Sequence, residues 1–135
     1  MEVSTIHPIK SPEEILQEEF LRERAAVLGR AGEKVARTLS ALFSLEKEIL
    51  VLLESYHQCK QYEETQGANK RKISGVKRNI QKEINEKIKI YNAMREQAKT
   101  RYYYLIVTRE ALGLHKHQWV EAYYRIPPKR KYIEV

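Results

Sequence analysis

The side chains best suited to chemistry are scattered, and their spacing argues against catalysis. His115 and His117 stand two positions apart, whereas helical metal ligands need three or four to share a face. No carboxylate follows that pair until Glu121, and His7, His57 and the single cysteine, Cys59, have no ligand-type neighbours at metal spacing. The chain contains no Asp, which removes the usual third member of a Ser–His–Asp triad and many magnesium ligands. Gly29-x-x-Gly32 lies within a helical pattern and lacks the strand that precedes a phosphate-binding loop. The expectation is a non-enzymatic protein with no catalytic residue, no cofactor and no bound metal.

Two constellations point instead to binding. Lys70, Arg71, Lys72, Lys77, Arg78 and Lys82, continued by Lys87 and Lys89, could contact phosphates along one helix, joined by Lys129, Arg130 and Lys131 near the C-terminus. The plainer reading of such a run is a solvated helix face, partly paired with the acidic first half. Pro127-Pro128-Lys129-Arg130-Lys131 fits a nuclear signal, a binding tail, a polyproline-type ligand or a solubilising end. Tyr102, Tyr103, Tyr104, Trp119, Tyr123 and Tyr124, interleaved with Arg101, Arg109 and Arg125, could stack bases. Their helical spacing favours packing of Trp119 and Tyr123 back onto Leu105 and Leu112.

The elements that must position these groups are helices. Glu, Lys, Leu, Ile and Arg dominate, and 135 residues hold only five Gly and four Pro. Ser11-Pro12-Glu13-Glu14 is a helix start, with Ser11 as cap and Pro12 at the first helical position. Apolar residues recur every seven positions at Leu28, Val35, Leu42, Ile49 and Tyr56, with Ala36, Phe43 and Leu50 widening the stripe. Gly29 and Gly32 weaken this helix; they mark a kink or break, or let another backbone approach closely, and a kinked continuous helix is expected. Thr65-Gln66-Gly67-Ala68-Asn69 is the expected turn, with Gly67 as the left-handed residue. A second series follows at Ile84, Tyr91, Ala98, Leu105 and Leu112, ended by Gly113. Tyr102–Val107 has strand-like composition but lies in helical register.

The predicted architecture is all-α. A flexible arm (1–10) precedes a single helical domain (11–125), and an extended, exposed basic tail (126–135) follows it. Within the domain, helix 1 (about 12–64) and helix 2 (about 70–112) form a long antiparallel, coiled-coil-like hairpin, with a short helix 3 (about 115–124) after it. Glu63 and Glu64 should face Lys70, Arg71 and Lys72 across the turn, offsetting two unfavourable helix-dipole placements. Residues beyond that turn, such as Lys77, should be free of Glu63.

The net charge of +7 is uneven. Residues 1–66 carry 8 Lys and Arg against 12 Glu, whereas residues 67–135 carry 17 against 6. One cysteine excludes an internal disulfide framework and suits a reducing, cytoplasmic setting. Apolar runs such as Ile49–Leu53 are too short to span a membrane. The leading expectation is a helical scaffold or adaptor that self-associates or binds another helical protein. Its candidate oligomer interface comprises Val35, Leu39, Leu42, Phe43, Ile49, Leu50 and Leu53. A nucleic-acid-binding accessory protein is the alternative, and an all-helical enzyme a distant third.

Overall fold

In a computed structural model the described residues form three helices: α1 (Pro12–Thr65), α2 (Lys70–Ala111) and α3 (Gln118–Tyr123). The structure describes residues 9–65 and 70–134. Most of the expected arm, and the expected turn with Gly67 at its centre, lie outside them. The Ser11 hydroxyl accepts the Glu14 N–H at 3.2 Å, so α1 begins with the expected side-chain cap.

The hairpin follows from two matched stripes. Val35, Leu42 and Ile49 of α1 and Ile84, Tyr91, Ala98 and Leu105 of α2 are buried, each set at heptad spacing. Leu45 and Ile88 fill the intervening turns, and Leu39, Leu52, Leu53, Tyr56, Ile80 and Met94 border the cluster. Tyr102–Val107 is helical, because α2 carries the pattern through it unbroken. Thr38 is a polar core position: its hydroxyl accepts from Arg101 Nη1 at 2.5 Å and donates to the Lys34 carbonyl at 2.9 Å.

At 54 residues α1 is about 81 Å long and α2, at 42 residues, about 63 Å. The Arg24 guanidinium reaches the Leu112 carbonyl at the end of α2, so α1 runs on beyond its partner there. In that overhang Leu16, Phe20 and Leu21 are exposed.

The pairing across the turn is displaced from expectation. Glu63 binds Lys77 Nζ at 2.7 Å and accepts the Ser74 hydroxyl at 3.0 Å. Lys77 precedes Ile84 by one heptad and so points along the core-facing stripe, where a cation must find a carboxylate.

Gly113, at φ +85°, stops α2. Its N–H donates to the Glu110 carbonyl and that of Leu114 to the Arg109 carbonyl, a Schellman closure. The connection to α3 is then anchored from α2. Arg109 donates from Nη2 to the Lys116 carbonyl at 2.9 Å and from Nε to His117 Nδ1 at 3.2 Å. Helix α3 is shorter than expected, and Trp119 and Tyr123 are 79% and 78% exposed rather than packed on the hairpin. Six residues bury too little surface to turn both rings inward. Tyr124 packs instead: its hydroxyl occupies the space that a Cβ on Gly32 would fill. Gly32 thus admits a close neighbour inside a continuous α1, while Gly29 faces open space.

Candidate functional site

The C-terminal segment is where expectation and structure differ most. Instead of projecting into solvent, residues 126–134 run extended along the hairpin, antiparallel to α2, and α2 side chains hold their backbone. Asn92 Nδ2 donates to the Arg130 carbonyl at 3.0 Å, and Asn92 Oδ1 accepts the Arg130 N–H at 2.9 Å. Asn85 repeats the arrangement on Ile133, at 3.1 and 2.8 Å. Gln81 Nε2 donates to the Glu134 carbonyl and Arg95 Nε to the Pro127 carbonyl, both at 2.6 Å. A primary amide presents one donor and one acceptor side by side, which matches the N–H and C=O of a single extended residue.

Side-chain contacts hold the segment as well. Arg130 Nη2 meets Glu46 at 2.9 Å, and its guanidinium stands 5.8 Å from the Tyr91 ring. Ile133 packs against the core cluster, and Lys129 pairs with Glu96 at 3.6 Å. Burial pushes the Tyr91 phenol above its ordinary range, keeping it neutral beneath Arg130. The tail is therefore basic, but not the free arm its composition suggested. Main-chain groups that a solvated tail would give to water have partners on α2.

The candidate nucleic-acid cations separate into two groups. Lys70, Arg71, Lys72, Arg78 and Lys82 are exposed, and no carboxylate pairs with them among the described residues. Lys77 is engaged by Glu63. Of the tail cations, Lys129 and Arg130 are paired and Lys131 is exposed. Arg130 sits beside Asn92, about 21 Å along α2 from Arg78.

The candidate interface residues also divide. Val35, Leu42 and Ile49 are buried against α2 within one chain, so a second copy cannot reach them without opening the hairpin. Leu39 and Leu53 border that core. Phe43 and Leu50, one position on from Leu42 and Ile49 and so about 100° round the helix, are 60% and 52% exposed.

His115 Nδ1 and His117 Nε2 lie 2.5 and 2.6 Å from the two oxygens of Glu110. His117 Nδ1 accepts from Arg109, so the tautomer that satisfies both contacts carries its proton on Nε2. Hydrogen bonds from His117 and then His115 hold the Glu110 carboxyl below its usual range. The pair serves to fasten the α2–α3 connection, and no group of three metal-ligating side chains is placed to hold an ion among the described residues. Nor, among them, is any helix long and apolar enough to cross a membrane.

Reading the sequence missed Gln81, Asn85, Asn92 and Arg95. A signal was present: Asn85 and Asn92, poor helix formers, each follow a core position by one residue, at a seven-residue interval. Comparison of the chain with family models, with curated proteins and with solved structures finds no match in any of the three.

Proposed function

We propose that this protein is a non-enzymatic helical interaction module that self-associates through α1. The observation that carries the reading is the set of large apolar side chains that α1 leaves outside its own core. Leu16 and Phe20 lie on the overhang, and Phe43 and Leu50 flank the hairpin. Packing against a second copy would remove this surface from water at about 25 cal/mol per Å². Phe43 and Leu50 sit outside the hairpin core, so Phe43→Ser with Leu50→Ser should leave the helicity of the folded chain intact. Sedimentation of the unaltered protein at micromolar concentration should show a dimer or larger species, and the double variant a monomer. An unaltered protein that stays monomeric throughout the concentration series would refute the proposal.

A second reading is nucleic-acid binding at the start of α2, favoured by the exposed Lys70, Arg71 and Arg78, which have no carboxylate partner among the described residues. Phosphate binding there would release counterions, so affinity would fall steeply with salt. Changing these three to Gln should flatten the salt slope by about two to three units if they contact phosphates. Tight, salt-sensitive binding lost in that variant would place this reading first.

A further inference from the structure

The clasp on α2 has the form of a peptide-binding site that happens to be filled by the chain's own tail. Asn85 and Asn92 are two helical turns apart, a rise of about 10.5 Å along α2. The residues they hold, Ile133 and Arg130, are three apart, an advance of about 9 Å for an extended chain with three residues per turn. The two repeats nearly match, and both residues present their N–H and C=O to α2. These bonds go to main-chain atoms and impose no sequence. Selection rests on two positions, an arginine received by Glu46 and the Tyr91 ring, and an aliphatic side chain three residues later against the core. Main-chain bonds for affinity with periodic side-chain pockets for specificity is the general logic of extended-peptide recognition.

The tail is held by side chains. Each described hydrogen bond between residues 126–134 and the hairpin uses an α2 or α1 side chain, and the tail joins no backbone ladder. Upstream, Tyr124 is seated on Gly32 and the α2–α3 connection is anchored by Arg109 and Glu110. Residues 126–134 are thus held by side chains of α1 and α2, with Ile133 their contact to the core cluster.

We propose that this groove binds an extended segment of a partner protein carrying Arg-x-x-(Ile, Leu or Val), in exchange for the chain's own residues 126–134. Glu46 and Glu96, which pair with Arg130 and Lys129, fit a basic segment. Glu46 lies one turn from Phe43 and from Leu50, so the groove borders the apolar face of α1, and the two proposals are told apart by their readouts, peptide uptake for this one and oligomeric state for the other.

The probe is a fluorescent peptide with the sequence of residues 125–134, titrated into the full chain and followed by anisotropy. A tethered tail competes at an effective concentration of around millimolar, so the unaltered protein should take up the probe weakly. Arg130→Glu with Ile133→Asp in the full chain should free the groove and tighten probe binding at least about tenfold. Adding Asn85→Ala or Asn92→Ala to that variant should weaken it again, about tenfold each. A probe peptide with the same two changes should not bind.

Hydrogen exchange on the unaltered protein gives an independent reading. The Arg130 and Ile133 amides should exchange well ahead of the α1 and α2 core amides. Protection equal to the core would show the tail to be part of the cooperative fold and overturn the proposal. So would a folded, tail-released variant that takes up no probe. A dimer of the unaltered protein that the probe converts to monomer would assign the groove to a second copy's tail, overturning the partner named here.

Discussion

Gly29 and Gly32 lie three residues apart in the same helix, and the same substitution should act on them differently. Replacing a helix-interior Gly by Ala contributes about 1 kcal/mol of stability. At Gly29 nothing lies within 4 Å of the added Cβ, so Gly29→Ala should show that full gain. For a chain of this size the expected rise in Tm is about 2–8 °C. At Gly32 the added Cβ would stand 2.8 Å from Tyr124 Oη, with Cζ at 3.8 Å. Tyr124 must then shift, and overpacking of about 1–3 kcal/mol offsets or exceeds the propensity gain. Gly32→Ala should be neutral or destabilising. Removing the hydroxyl should restore the gain: in a Tyr124→Phe background the nearest remaining contact is an ordinary one, and Gly32→Ala should then behave like Gly29→Ala. Urea unfolding of the four members of this cycle should give a coupling of about 1 kcal/mol or more between positions 32 and 124. Additivity within about 0.3 kcal/mol would show that Tyr124 does not rest on Gly32, and the anchoring of α3 would lose its basis.

Other perturbations test the core, the surface and the ion pairs. Leu42 is almost fully buried, so Leu42→Asp should cost several kcal/mol and abolish the cooperative thermal transition. Unchanged circular dichroism and Tm in that variant would show the core to be misplaced. Trp119→Ala and Tyr123→Ala remove exposed rings and should change stability by no more than about 0.5 kcal/mol, checked by urea midpoint. Acidification should probe Glu63, whose carboxyl Lys77 and then Ser74 hold below the usual range. A depressed folded value contributes stability above the unfolded pKa of about 4.3 that is lost as pH falls through the folded value. Lys77→Met should flatten the acid limb of the stability–pH curve in that window, measured by urea midpoints against pH; an unchanged limb would show the pair to be inconsequential.

The sequence by itself determined the elements. Heptad series through Val35, Leu42 and Ile49 and through Ile84, Tyr91, Ala98 and Leu105 are local records of which helix face must leave water, and both faces are buried. Ser11 as a cap and Gly113 as a stop were equally legible, because capping depends on a few adjacent residues. Tertiary structure decided what the remaining polar groups do. Composition marks residues 126–135 as a solvated end, yet Asn85 and Asn92 reach it across 48 and 38 residues of sequence. The pairing of Lys77 with Glu63, the seating of Tyr124 on Gly32 and the outward display of Trp119 are likewise settled only by the packed hairpin. The physical reason is directionality. Hydrophobic burial needs only a periodic face, which one helix carries alone. A hydrogen bond or a close contact requires two distant atoms at a set distance and angle, and only the assembled chain fixes both.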